Sequence, residues 1–482
     1  MLTPTSNDLL AVLPELILTL SAGLVLVLEG FRPGSRRYSS GLTLLGLALA
    51  VWARLAGPLP GPVWSGMLQV DAVTSFVDLY ILTAAFLTAW MAAPFLRRTE
   101  AEHGEFYALL LLAVVGAMVM ASAADALPLF LGLELLSIPL YVLNAFLRRV
   151  PISVEAGFKY FIVGAFASAF VVYGIALLYG ATSTTNLLQM GAAISHAGVL
   201  GPLTVVGLAM FIGGLFFKLA LFPFHGWAPD VYQGGPTPVT AFLSVVPKGA
   251  ALVALLRILI AMELIDVTAR WLVAAGIIAV ASQTLGNVVA IVQQDIKRML
   301  AYSGIAHMGY ALVGVISAGS DRGASVLVYL AAYTVMNLGA FAVVALLSER
   351  ENEPHLISDL AGQGWTRPVA ALALTVCLFS LAGIPPFVGF TAKFMVFRAA
   401  VNEGLVWLAV LGVLNSLLSA YFYLRVVYVL YMQPLPRRAP QFQASWAISA
   451  VASVAALAVV AMGVFPSPIL AAARAAVQHL PG

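Results

Sequence analysis

Apolar stretches of about twenty residues, separated by short charged or Gly/Pro-containing loops, follow one another along the whole 482-residue chain. A helix needs ~20 mainly apolar residues to cross the hydrocarbon core of a bilayer. Stretches of that kind fall near 9–30, 41–55, 72–95, 106–122, 126–147, 157–180, 203–222, 238–262, 271–292, 299–318, 324–347, 369–400, 405–431 and 446–470. With 62% of the residues hydrophobic and 9% charged, against roughly 25% charged in a soluble domain, no water-exposed fold can hide this surface. The expected fold is an all-α integral membrane protein with about fourteen transmembrane helices, a single polytopic domain over residues 1–482.

Charge in the loops orders these spans across the membrane. Short cytoplasmic loops are rich in Lys and Arg, and alternate loops here carry Arg32/Arg36/Arg37, Arg97/Arg98, Arg148/Arg149, Lys297/Arg298, Arg350/Arg367 and Arg437/Arg438, while the opposite side shows little beyond Arg270 and Arg322. Both termini are therefore expected outside. The formal charge of +3 is spent on this loop pattern, so it marks topology and not a nucleic-acid surface. The first stretch has no Lys or Arg before it and arginines after it, the reverse of a cleaved signal. Cys377 is the one cysteine and lies in an apolar run, which excludes disulfides, thiolate zinc sites and iron–sulfur clusters held by this chain alone.

Two segments share the pattern P-F-x-G-aromatic: Pro223-Phe224-His225-Gly226-Trp227 near the end of the seventh span, and Pro386-Phe387-Val388-Gly389-Phe390 within the twelfth. Being five spans apart, the two copies run in opposite directions across the bilayer. Inverted repeats with broken helices mark transporters, whose ion sites lie where the helix unwinds; Pro and Gly are also common in membrane helices generally. The expected division is 9–122 as N-terminal helices and the start of a first repeat, 126–262 as its remainder, 271–431 as a second repeat, and 446–470 as a C-terminal helix. Pro223, Pro385 and Pro386 are the expected breaks.

Only five of the 24 basic residues are lysines: Lys159, Lys218, Lys248, Lys297 and Lys393. A buried lysine can release its proton and arginine effectively cannot, so lysines placed inside spans suit a mobile proton. Lys218, Lys248 and Lys393 lie within expected spans. An intramembrane charge costs at least ~2.5 kcal/mol on insertion scales, which makes each a functional candidate; snorkelling to an interface is the bland alternative, more open to Lys218 and Lys393 than to Lys248. Glu134, isolated in an apolar helix, needs a cationic partner, either in a titrating pair or in a fixed structural one. His225 and His307 are candidate relay groups because imidazole titrates near neutrality, although a lone membrane histidine is more often a hydrogen-bonded structural residue. Metal binding is not expected of either, for lack of ligand spacing. Lys159 either extends the relay or marks the end of its helix.

At these residues the chain resembles the antiporter-like membrane subunits of bacterial respiratory NADH:quinone oxidoreductase (complex I), and among them subunit N. The resemblance rests on Leu133-Glu134-Leu135-Leu136-Ser137-Ile138-Pro139-Leu140-Tyr141, on Lys218 running into Pro223-Phe224-His225-Gly226-Trp227-Ala228-Pro229-Asp230-Val231-Tyr232, and on Pro236-Thr237-Pro238 through Val246-Pro247-Lys248. Lys297 through Ser303 running into His307, and Gly383-Ile384-Pro385-Pro386 running into Lys393, extend it. The first hundred residues and the last helix match only in hydropathy. Thr391-Ala392 and Gly304 depart from the expected residues without removing a titratable group. The resemblance implies a proton-translocating role in the bacterial inner membrane. It pairs Glu134 with Lys218 in one half-channel, makes Lys248 the central relay and gives Lys393 to a second half-channel. It also implies partners, the sister antiporter-like and other membrane subunits, with FMN, iron–sulfur clusters, NADH and quinone handled by other chains and no cofactor in this one. A multi-subunit sodium/proton antiporter or a membrane-bound hydrogenase is the alternative setting for such a chain.

Overall fold

In the computed structural model, residues 5–31, 36–196, 200–262, 269–346, 355–435 and 445–478 are described. Among them thirteen helices are long and apolar enough to cross a membrane, and the only sheet is a two-stranded antiparallel hairpin, Gly61–Val63 with Leu68–Val70. Each expected span corresponds to one of these helices except 369–400. There the chain forms two shorter helices, Pro368–Ala382 and Val388–Asn402, separated by a turn. The seventh span is broken as well: the Pro202–Leu219 helix ends with Ala220 in the left-handed region, and a short helix, Ala228–Gly234, follows before Thr237–Ala261 begins. The bonds Phe222–Pro223 and Pro385–Pro386 are both cis.

Local chemistry explains where the helices start. Asp71, Asp125 and Asp295 sit at N-caps and accept from Thr74, Leu127 and Arg298 backbone N–H groups at 2.8–2.9 Å, satisfying donors that a helix start leaves free. Pro151 and Pro202 occupy first-turn positions, where the missing N–H costs nothing. Asp71 also binds Arg257 through two hydrogen bonds of 2.7 and 3.0 Å. Burial pushes this carboxyl up, and the guanidinium with the cap hydrogen bonds more than offsets it, holding Asp71 below the usual carboxylate range.

Helices meet closely where glycine removes the side chain. A Cβ at Gly116 would overlap the backbone of Leu135 and Leu136, and one at Gly132 would overlap Met120, so the Gly104–Ser122 and Ala126–Asn144 helices touch backbone to backbone. Gly174 stands in the same relation to Phe211, and Gly286 to Ala306. Van der Waals fit of this kind, and not apolar burial, holds helices together in lipid. The Thr237–Ala261, Ile296–Ile316 and Ala324–Leu346 helices form the interior, while Pro151–Thr182 and Val406–Met432 lie at the periphery with large apolar side chains such as Phe158, Phe166, Leu417 and Tyr421 exposed.

Contacts between loops show which chain turns share a face. Arg98 donates to the Ala345 carbonyl at 2.8 Å and Arg425 to those of Ile291 and Gln293 at 2.6 and 2.5 Å, which gathers the arginine-bearing turns. On the other face Asp8 accepts from Trp64 N–H at 2.7 Å, Asn186 donates to Gly66 O at 3.5 Å, and Arg322 donates to Gln478 O at 3.2 Å. Both ends of the described chain thus lie on the face opposite the turns gathered by Arg98 and Arg425. Arg32, Arg350, Arg437 and Arg438 lie outside the described residues, as do the side chains of Arg36, Arg37 and Arg270.

A row of buried lysines at two helix breaks

The end of the Pro202–Leu219 helix positions Lys218, which is only 3% exposed. Its Nζ donates to Ser137 Oγ at 2.7 Å and to Tyr160 OH at 3.0 Å, with the Tyr160 ring centroid 5.3 Å away. Tyr160 in turn stacks on Trp227 of the break, centroids 4.7 Å apart. Glu134 makes no direct ion pair with Lys218; its Oε1 instead accepts a short hydrogen bond from Ser168. Hydroxyl groups thus make the direct contacts of both expected partners. Glu134 sits less than one helical turn from Ser137, and a cavity of about 10 Å3 lined by Ser137, Tyr141, Ser168 and Lys218 lies beside them, enough for about one water.

Lys248 stands midway along Thr237–Ala261, 1% exposed, with no hydrogen-bond partner on its Nζ. Its ammonium faces the Tyr232 ring at 5.3 Å, a favourable cation–π arrangement. Gly304, one of the departures seen in the sequence, has a structural reason: a Cβ there would meet Lys248 Nζ at 2.8 Å and Tyr333 OH at 2.9 Å. Beyond it comes His307, 2% exposed, whose Nδ1 is 2.7 Å from Tyr329 OH and whose Nε2 is 3.2 Å from Tyr423 OH. Its ring lies 5.0 Å from Tyr333 and 5.8 Å from Tyr310. Tyr423 OH is also 2.5 Å from Ser303 Oγ. The row ends at Lys393, 4% exposed, on the second half of the broken helix. Its Nζ donates to the Leu381 and Ala382 carbonyls, freed by the break, at 3.0 and 3.1 Å, and to Ser416 Oγ at 2.8 Å, over the Tyr310 ring at 4.9 Å. The prolines at 223, 385 and 386 thus stand where two of the three lysines are placed.

The other candidates fall outside the row. Lys159 is 43% exposed and bridges Glu155 at 2.7 Å and Asp230 at 2.8 Å, tying its helix to the break. Asp230 also takes Arg298 at 2.6 Å. His225 lies in the break with its ring against Phe222 and makes no polar contact with Lys218. Lys297, read as a loop charge, is instead 3% exposed and donates to the Gly235 carbonyl at 2.6 Å. Among the described residues the one close group of His and carboxylates is Glu29, His103 and Glu105, away from the row.

What sequence reasoning missed is the hydroxyl lining: Ser137, Ser168, Ser303 and Ser416, and the tyrosines at 160, 232, 310, 329, 333 and 423. These six tyrosines are among the largest fully buried side chains of the protein. A buried tyrosine needs a partner for its hydroxyl, so tyrosines inside spans near a lysine were the available signal.

A helical bundle with two broken helices, and ionisable residues buried between them at mid-membrane, defines the ion-translocating class of membrane subunit. Residues 123–419 match the family described as NADH:quinone oxidoreductase/Mrp antiporter, TM. A protein of Trichlorobacter lovleyi named NADH-quinone oxidoreductase subunit N is 40% identical over 474 residues, covering 98% of this chain and 97% of that one. Subunit N 1 of Herpetosiphon aurantiacus is 41% identical over 491 residues, covering 98% and 99%. A chain of respiratory complex I from Thermus thermophilus, solved with bound aureothin, superposes with a TM-score of 0.82 at 34% identity, covering 95% of this chain and 98% of that one. A chain of the Mrp complex from Dietzia superposes at 0.87 with 22% identity, covering 98% and 97%, and shares the fold. The chain belongs to the subunit N family of NADH-quinone oxidoreductase.

Proposed function

We propose that this chain is the proton-conducting, antiporter-like membrane subunit of an NADH:quinone oxidoreductase, coupling electron transfer in other subunits to proton translocation across the bacterial inner membrane. The observation that carries the reading is the burial of Lys218, Lys248 and Lys393, each at most 4% exposed and each solvated by hydroxyls, carbonyls or a ring face instead of a carboxylate. A fixed structural ion would be paired with an opposite charge; an amine held by neutral dipoles can gain and lose a proton without stranding a counter-ion. Glu134 biases Lys218 through Ser137 and Ser168, His307 carries the proton between Lys248 and Lys393 with the tyrosine and serine hydroxyls, and Lys159, Lys297 and His225 frame the first break.

In this reading iron–sulfur clusters belong to partner chains, since a cluster needs several thiolates and Cys377 is the lone cysteine, and the likeness to subunit N assigns FMN, NADH and quinone to other chains as well. The partners are the sister antiporter-like and smaller membrane subunits. The arginine-bearing face is cytoplasmic by the positive-inside rule, which places both termini outside.

Replacing the amine tests the reading. In the assembled complex, Lys218→Ala and Lys248→Ala are expected to lower proton pumping and coupled NADH:quinone activity several-fold. Lys393→Arg, which keeps positive charge but hardly releases it, is expected to be milder. Near-normal pumping in both alanine variants, with normal assembly on a native gel, would reduce the chain to a scaffold.

A further inference from the structure

The helices before residue 123 lie outside the region matched by the family description, and they hold a charged cluster that the lysine row does not use. Arg54, in the last turn of Arg36–Ala56, points Nη2 at two carboxylates: Glu15 Oε1 at 3.1 Å and Asp78 Oδ2 at 2.7 Å. Its Nη1 donates to the Ala11 carbonyl at 3.2 Å. Glu15 belongs to the first turn of Leu13–Phe31 and Asp78 to the second turn of Ala72–Arg98, so the cluster lies just inside the terminus-bearing face. Asp78 is 0% exposed, Arg54 3% and Glu15 8%.

Counting charge gives one guanidinium against two carboxylates, a net −1 inside the bundle. Among the described helices packed against Ala72–Arg98, Ser467–Val477 carries Arg474, which is exposed, and Thr237–Ala261 carries Lys248 at mid-membrane and Arg257. Arg257 of Thr237–Ala261 is engaged by Asp71, Thr74 and the Ala121 carbonyl. Gly104–Ser122 has its titratable groups, Glu105 and Tyr107, at the far end, as Leu13–Phe31 has Glu29. Asp8 is committed to Thr5 and Trp64. Several atoms of the cluster also lack a protein hydrogen-bond partner, namely Asp78 Oδ1, Glu15 Oε2 and Arg54 Nε, while Asp78 Oδ2 has only the Arg54 guanidinium. An uncompensated buried charge is destabilising, and two carboxylates competing for one cation are relieved when they share a proton.

We propose that Glu15 and Asp78, bridged by Arg54, form a proton-binding site that holds one proton between two carboxylates and exchanges it during turnover on the terminus-bearing side of the bundle. The exchange, though not the site, rests on the proton-conducting reading. A single O–H bond forms on a carboxylate oxygen when the proton arrives and breaks when it leaves, the cluster passing from neutral to net −1.

Amide variants test this cleanly, because Asp78→Asn or Glu15→Gln leaves one carboxylate facing one guanidinium, a neutral pair that needs no proton and keeps the packing. Infrared spectra of the assembled complex should show the carbonyl stretch of a protonated carboxylic acid that both variants lose and Asp78→Glu retains. Protons translocated per NADH oxidised should fall several-fold in both amide variants and recover in Asp78→Glu. A band absent from the native complex, or surviving in both amide variants, overturns the site; a band lost with pumping unchanged overturns its exchange in turnover. Lys248→Ala measured alongside separates the two claims: if it alone stops pumping, the proton-conducting reading stands and the exchange at this site does not.

Discussion

Lys218 shows how a charged residue in lipid can be held without a counter-ion. Its two acceptors, Ser137 and Tyr160, are neutral, and Glu134 stands behind them on Ser168. Ser137→Ala is therefore expected to lower proton uptake into vesicles several-fold while the complex assembles normally, and Glu134→Gln to be damaging where Glu134→Asp is mild. Equal, near-normal uptake in Ser137→Ala and Glu134→Gln would mean that the carboxylate and the hydroxyl do nothing for the lysine. The lysines were legible in the sequence because arginine holds nearly all the loop positions, Lys297 apart. The serines were not, since a serine in a helix ordinarily bonds its own backbone, as Ser137 also does to the Leu133 carbonyl at 2.5 Å. Nor could the spacing of Glu134 and Lys218, which lie on different helices, decide between a contact and a bridged pair.

At the scale of elements, hydropathy located every span but could not see a break inside one. The stretch 369–400 is mainly apolar, yet it is two helices, because Gly383 takes a φ of +88° and the prolines that follow donate no N–H. A Cβ at Gly383 would also press on Lys393 Cδ at 3.0 Å. Gly383→Ala should therefore disturb the second break specifically, lowering pumping with little change in the amount of complex on a native gel. Gly116→Val is a different case: its side chain would enter the backbone of the neighbouring helix, and overpacking of this sort costs about 1–3 kcal/mol. The expected outcome is a lower yield of assembled complex and a lower melting temperature, with residual complex pumping normally per molecule.

On the scale of the whole molecule, the sharing of one face by both termini can be checked directly. Single cysteines at Glu100 and Arg149 should react with an impermeant reagent only from the cytoplasm, and cysteines at Met67 and Gln478 only from outside, against a low background because Cys377 is buried. Reaction from the opposite side at any of them would break the alternation. The division into repeats at 126–262 and 271–431 was read from two short motifs, and what the structure adds is that each motif supplies a turn beside a buried lysine. The glycine contacts between helix pairs then acquire a mechanical meaning. Helices locked backbone to backbone at Gly116, Gly132, Gly174 and Gly286 cannot slide along one another, so each pair acts as a strut. The interruptions between such struts lie at residues 220–236 and 383–387, where the chain leaves the long helices. These two joints carry Lys218 and Lys393, the ends of the lysine row, so the same build that makes the bundle stiff leaves its freedom to bend beside the buried amines.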